Sequence, residues 1–315
     1  MEIAYIGYTN KRMKGKSRIV LGGVVVVATI GAFTWYVTKN PEVLDQLAQT
    51  SMATIAAIVL LYGCILGALV LVLYASLKFY KRHMSRQENF LLNAYSSLIN
   101  FFGPGQSGPG FRAAYLKLKH DVKVKQYLFV TLLYYAFYAF FSGILLAFAA
   151  FEWWLTFGLL LIIICVCYII LKYFLTKNKN LLNQPLKDLI KPFFIIGAAT
   201  LLQVLLLWAI YFIELRSLDS SISPGQAATY TGAANFALFV ALTPGAIGFR
   251  EAFLVFSQNL HHISNDIIVA ANILDRAVYI VFLGILFLIV IALHANKTLQ
   301  VKKIKSTVAM NDEQA

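Results

Sequence analysis

Charge is scarce in this chain. Asp, Glu, Lys and Arg make up 13% of its 315 residues, about half of the roughly 25% usual in a soluble domain. Hydrophobic residues make up 60% and the mean hydropathy is +0.72. A soluble fold of this size buries about three quarters of its surface, which leaves the apolar excess nowhere to go. A soluble enzyme, a disordered chain and a nucleic-acid-binding domain are therefore excluded, and no nucleic acid is expected as a partner. Acidic residues are scarcer still, 14 against 27 Lys and Arg. In a membrane protein such a basic excess sets topology through short cytoplasmic loops and faces an anionic leaflet. Cysteine is nearly absent. Cys64, Cys165 and Cys167 all lie in apolar runs, which excludes a disulfide framework or a thiolate metal set and makes them small hydrophobes. No Ser-His-Asp set, Walker loop or dinucleotide fingerprint is present, so neither a cofactor nor a metal is expected.

What the chain has instead is long apolar stretches. A membrane span needs about 20 apolar residues, and six runs qualify: 19–37, 52–77, 127–148, 153–174, 192–212 and 267–293. The first follows a cluster of Lys and Arg. It is long for a signal peptide and lacks a clear cleavage site, so it reads as a retained helix. All but four of the 27 Lys and Arg fall in residues 1–18, 78–125, 172–191 and the tail. The exceptions are Lys39 and Arg216 in opposite loops, and Arg250 and Arg276 at membrane depth. Six spans with both termini cytoplasmic satisfy this bias. Glu42, Asp45, Glu152, Glu214 and Asp219 then fall in outer loops. His261 and His262 are expected at the outer surface.

Two stretches, 93–118 and 227–256, have apolar flanks too short to cross alone and a Pro/Gly break in the middle. They read as re-entrant helical hairpins, which a membrane tolerates only inside protein or along a wet cavity. The first enters from the cytoplasmic side and the second from the outside. Within them, Gly110-Phe111-Arg112-Ala113-Ala114-Tyr115-Leu116 resembles Gly248-Phe249-Arg250-Glu251-Ala252-Phe253-Leu254. Each half runs span, span, hairpin, span, in opposite orientations. The expected fold is an all-α polytopic membrane protein with about six transmembrane helices and two re-entrant hairpins. It forms one membrane domain over 1–315, with inverted repeat halves 19–150 and 153–295, a basic segment 1–18 and a tail 296–315. Inverted repeats place a substrate site near the midplane between them.

An ionisable residue at a helix centre costs about 2.5–3.5 kcal/mol on insertion scales, so Arg112, Arg250, Glu251, Asp275 and Arg276 require partners. One reading is a closed lock of ion pairs, Arg250 with Asp275 and Glu251 with Arg276. The other is a lipid phosphate held by the arginines, since guanidinium binds phosphate bidentately and stays charged. The two coexist if an arginine exchanges carboxylate for phosphate. Pro109-Gly110 and Gly248 each precede a short helix whose N-terminal amides would favour an anion. The Gly63/Gly67 pair reads as helix packing. The aromatic run 134–141 reads as lipid-facing and packing surface, with a lipid path as the alternative.

At these residues the chain resembles the lysylphosphatidylglycerol synthetase-type transmembrane family, which is flippase-like. The early family element is matched by Asn100, Pro104, Gly105, Gly108 and Arg112. The later one is matched by Thr243, Pro244, Gly245, Gly248 and Glu251, and a late arginine by Arg276. Ala246, Gln106 and Pro109 depart from the pattern, which implies a different or less charged headgroup at the inward site. The resemblance implies these residues bind substrate. It implies a transporter moving an anionic or aminoacylated phospholipid, or a polyprenyl-linked lipid, between leaflets of the plasma (inner) membrane. The synthase activity of bifunctional members is not expected from this chain. The lipid headgroup is the expected partner, and a separate lipid-modifying or glycosyltransferase enzyme is a candidate one. Two other functions compete: a polyprenyl-phosphate-sugar glycosyltransferase using Glu42 and Asp45, and an accessory subunit of a synthase.

Overall fold

The structure is a computed structural model. It describes residues 50–102, 107–150, 186–240 and 249–312, with scattered positions between 31 and 49 and at 158 and 161. The expected spans 19–37 and 153–174 lie essentially outside the described residues. So do Glu42, Pro104, Gly105, Thr243, Pro244, Gly245, Gly248, Cys165 and Cys167.

Every element among the described residues is a helix. They are α1 (Met52–Phe79), α2 (Arg86–Phe102), α3 (Ser107–His120), α4 (Val124–Ala150), α5 (Leu186–Leu218), α6 (Pro224–Val240), α7 (Phe249–Phe256), α8 (Gln258–His261) and α9 (Asn265–Asp312). Four segments are long and apolar enough to cross a membrane: Met52–Phe79, Val124–Ala147, Lys187–Leu218 and Asn265–Leu293. Much of their surface is turned outward, with Leu60, Phe194 and Leu288 about two-thirds exposed. In lipid that exposure has no hydrophobic cost. The molecule is therefore an integral membrane protein.

Helix α1 begins at Ser51, whose hydroxyl accepts the Thr54 N–H at 3.1 Å. It ends where Lys81 turns into the left-handed region at φ 53°. There the N–H of Lys81 donates to Lys78 O, and that of Arg82 to Leu77 O. This Schellman arrangement satisfies two orphan carbonyls. Helix α5 starts six residues before Pro192, which lies inside the helix rather than opening it.

Helices α2 and α3 fold back on each other. Asn100 near the end of α2 accepts the Gly108 N–H at 3.3 Å, and Glu88 near its start meets Lys119 and His120 at the end of α3. Gly108 is required here, because a Cβ would sit 2.5 Å from Ser96 O and 2.9 Å from Asn100 Cβ. A second close approach joins α6 to α4, where a Cβ on Gly232 would lie 2.5 Å from Leu146 N.

Two cores form along α1. Tyr62, Ile65 and Leu66 pack with Ile210, Tyr230, Leu254 and Leu274 at one end. Val72, Leu73, Leu77 and Tyr80 pack with Leu116, Tyr127 and Val130 at the other. Each core contains one arginine site.

Candidate functional site

The first site is built from five helices. Arg250, the second residue of α7, and Asp275 of α9 are 8% and 7% exposed in their side chains, and Nη1 lies 2.5 Å from Oδ2. The other Asp275 oxygen, Oδ1, accepts the Tyr62 hydroxyl from α1. Tyr62 is itself held by Tyr279 and Phe282, its ring 4.8 Å and 5.6 Å from theirs. The guanidinium carbon of Arg250 lies 4.8 Å over the Tyr211 ring of α5, a cation–π contact that desolvation strengthens. Tyr230 of α6 stands edge-on to Tyr211 at 5.6 Å and receives the Asn272 amide at 3.3 Å.

This site has unmatched polar atoms. Nε and Nη2 of Arg250 are buried with no hydrogen-bond partner among the described residues. Glu214 of α5 is 1% exposed, and both its carboxyl oxygens lack a partner as well. Arginine carries five donors, so the Asp275 pairing leaves a free edge able to take a second planar or tetrahedral anion. Along α1 and α9, Tyr62 and Asp275 each lie ten residues past the first helical residue. That is about 15 Å of helix, near the middle of a bilayer core about 30 Å thick.

The second site surrounds Arg112 of α3. Its Nη1 donates to Asn93 Oδ1 at 3.3 Å, and its Nε is buried without a partner among the described residues. Asn93 is fixed in turn by donating its own amide to Asn89 O and Oδ1. Arg112 opens on a small cleft lined by Ser76, Tyr80, Tyr127, Thr131, Tyr134 and Tyr135 among others. Tyr127 donates its hydroxyl to Pro109 O at 2.9 Å, which ties α4 to the start of α3.

Polar side chains lie between the two sites. The Tyr134 hydroxyl donates to Gln203 Oε1 of α5 at 2.8 Å. One turn along α4, Tyr138 donates to Asn235 Oδ1 of α6 at 2.8 Å, and Asn235 donates to the Ser142 hydroxyl at 3.0 Å. The aromatic run 134–141 is thus partly an internal polar face.

At the base of the α2–α3 hairpin, Glu88 accepts from Tyr115 at 2.6 Å and lies 2.8 Å from Lys119 and 2.9 Å from His120. Partial burial alone would raise its carboxyl. The hydrogen bonds from Lys119, Tyr115 and His120 outweigh that and hold it down at about 2.

Of the residues singled out in the sequence, Arg250 and Asp275 meet as the lock reading expects. Asn100 and Gly108 meet each other at the hairpin tip. Arg112 lies beside the last turns of α1, whereas the Arg250 site meets α1 at Tyr62, nearer its middle. Arg276 is half-buried and leaves α9 about 100° round from Asp275. Glu251 follows Arg250 in α7, with only its backbone described.

Two expectations are corrected. Glu214 is not in an outer loop: α5 continues to Leu218 and buries it. His261 is not a surface residue. It is 1% exposed, its Nε2 lies 3.1 Å from Leu254 O and its Nδ1 accepts the Ile263 N–H. Sequence reasoning also missed Tyr62, Tyr211 and Tyr230 as site residues. The lone amides Gln203 and Asn235 inside apolar stretches were the available signal for the polar path.

No individual curated protein matches the chain. The family described as lysylphosphatidylglycerol synthase TM region matches residues 19–286, most of its length. With its apolar helices and its motif residues, the chain belongs to the lysylphosphatidylglycerol synthase TM region family.

Proposed function

We propose that this protein carries a phosphate-bearing lipid headgroup between leaflets, passing it between the Arg112 cleft and the Arg250 site. The lipid is an anionic or aminoacylated phospholipid, or a polyprenyl-linked lipid. The observation that carries this reading is two arginines at different depths along α1, Arg250 buried with Nε and Nη2 unsatisfied and Arg112 half-buried with Nε unsatisfied among the described residues. A buried donor left unpaired is expensive, and a phosphate would satisfy several at once. Between them, the hydroxyls and amides of Tyr134, Gln203, Tyr138 and Asn235 offer a polar route for a headgroup while its tails remain in lipid.

The topology belongs to the proposal. Runs 19–37 and 153–174 complete six spans, with both termini in the cytoplasm and the protein in the plasma membrane. The α2–α3 hairpin enters and leaves on the cytoplasmic side. Its helices of 17 and 14 residues reach about 26 and 21 Å, short of the bilayer's roughly 30 Å. Segment 227–256 does the same from outside, and the halves 19–150 and 153–295 are inverted repeats. The Gly-Phe-Arg match supports this, since it places Arg112 and Arg250 alike on a short helix. Pro104, Gly105, Thr243, Pro244, Gly245 and Gly248, the matched motif positions outside the described residues, belong to the proposal as substrate-binding residues. Glu251 and Arg276 flank the headgroup.

The test is transbilayer movement in reconstituted vesicles, with a panel of headgroup-labelled lipids. Headgroup-selective movement is expected, lowered in Arg250→Ala and shifted to higher lipid concentration in Arg112→Ala. Folded wild-type protein that moves none of the lipids would refute the reading.

A further inference from the structure

The Arg250 site has more buried acid than its cation can pair. Asp275 occupies Nη1 of Arg250 and also takes the Tyr62 hydroxyl. Glu214, 1% exposed, has neither carboxyl oxygen satisfied among the described residues. The groups around it are Tyr62 of α1, Tyr211 on its own helix, Tyr230 of α6, Arg250 of α7 and Asp275 of α9, and Tyr138 of α4, which also packs on α5, lies near Tyr211 and Arg250. Arg250 is the one cation of this set. An ionised carboxylate so enclosed, beside a second carboxylate that already holds that cation, is far costlier than a neutral acid.

The orphaned atoms are complementary. Arg250 presents two unused donors, Nε and Nη2, and lies over the ring of Tyr211; Glu214, about one turn along α5 from Tyr211, presents two unused acceptors. Once Glu214 releases its proton to the aqueous phase, its carboxylate becomes the strongest acceptor available to that free edge. The arginine would then be clamped between two carboxylates, with nothing left for a phosphate.

We infer that Glu214 is a proton-binding site that controls whether the free edge of Arg250 is open to a phosphate group. This rests on the reading of Arg250 as a headgroup site, and it adds what that reading lacks, a coupling of occupancy to protons. Protonated Glu214 leaves the edge open, and deprotonated Glu214 closes it.

Infrared spectroscopy of the full chain in lipid nanodiscs tests the proton directly. The wild type at neutral pH is expected to show the carbonyl stretch of a protonated carboxyl. That band should move on labelling with heavy-carbon glutamate and disappear in Glu214→Gln. The glutamate label assigns the band in unmodified protein, so the result does not depend on a variant folding.

Binding of dihexanoyl phosphatidylglycerol to the solubilised chain is then followed across pH. Wild-type affinity should fall by up to about tenfold per pH unit once Glu214 ionises, the limit for one linked proton. Glu214→Gln, a neutral isostere, should hold affinity within about twofold over the same range. A wild-type spectrum without a protonated glutamate band overturns the inference, as does a Glu214→Gln protein that keeps the wild-type pH dependence. A glutamate band together with no binding at any pH upholds the proton site and removes the headgroup reading instead.

Discussion

Replacing Asp275 by leucine tests the buried pair quantitatively. The change leaves the Arg250 guanidinium, 8% exposed, without its carboxylate, and takes the acceptor from the Tyr62 hydroxyl. Removing one partner of a buried ion pair costs about 3–5 kcal/mol, because the surviving charge is stranded. The orphaned hydroxyl adds about 1–3 kcal/mol when counted alone. Glu214 works against this loss. By giving up its proton it can take over Arg250, so the expected cost falls to the lower end, about 3 kcal/mol. In a Glu214→Gln background that rescue is gone, and the cost should approach about 5 kcal/mol. Combining Asp275→Leu with Arg250→Met removes both charges together. It should cost less than either single change, since an apolar pair of similar volume is often neutral or better. The assay is reversible unfolding in mixed micelles, followed by helical circular dichroism, on the four proteins of the cycle. A coupling energy below about 0.5 kcal/mol would mean that the two side chains do not act as a pair, and the account of how α7 is held to α9 would be refuted.

Three further outcomes follow from single positions. Gly232→Ala should lose about 1–3 kcal/mol in the same unfolding assay, because its Cβ would meet the nitrogen, Cα and Cβ of Leu146 at 2.5–2.7 Å and backbone cannot step aside. The Glu88 carboxyl is held at about 2, below the ordinary glutamate value, so its contribution is complete above about pH 4.5 and lost as pH falls toward about 2. Discounted for solvent screening it is worth about 1 kcal/mol, and Glu88→Gln should flatten the acid limb of hydrogen exchange in α2 and α3. His261 lies below the ordinary imidazole value because burial disfavours its charged form, and its Nδ1 must stay unprotonated to accept the Ile263 N–H. Stability is therefore full above about pH 6.5 and declines as pH falls through the interval down to its folded value; thermal unfolding that is flat there would contradict this.

The long apolar helices were legible because lipid makes hydropathy a direct signal. Runs 52–77 and 127–148 correspond to α1 and α4 within a few residues. Run 192–212 was cut short at both ends, because Lys187, Asp188 and Lys191, and then Glu214 and Arg216, lower the local hydropathy while the helix continues. That truncation is also why Glu214 was misplaced. The Arg250–Asp275 pair was legible from charge alone, since a cation at membrane depth needs an anion and few were on offer. Its third member was not. Tyr62 is 213 residues from Asp275, and no spacing rule connects a tyrosine in one span to an aspartate in another. His261 was lost for a similar reason, as its partners Leu254 and Ile263 form a pocket only after α7 and α8 turn back on α6.

The two arginines are not equivalent, and the difference sets an order of events. Among the described residues Arg112 is engaged by the neutral amide of Asn93 alone, beside an open cleft. Arg250 is committed to a carboxylate in a closed interior. A phosphate reaching Arg112 displaces little. Full engagement of Arg250 requires weakening a buried pair whose rupture is worth several kcal/mol. The same headgroup therefore binds more readily at the Arg112 end, and passage through the Arg250 site is the harder step. Arg112→Ala should mainly raise the lipid concentration needed for half-maximal movement, while Arg250→Ala should mainly lower the maximal rate, by at least about tenfold for each 1.4 kcal/mol of lost stabilisation. Asp275→Asn, which keeps the shape but loosens the grip on Arg250, separates the two roles: if the pair is the barrier, that protein moves lipid faster than the wild type at saturation, and if it moves lipid more slowly, Asp275 serves the headgroup itself.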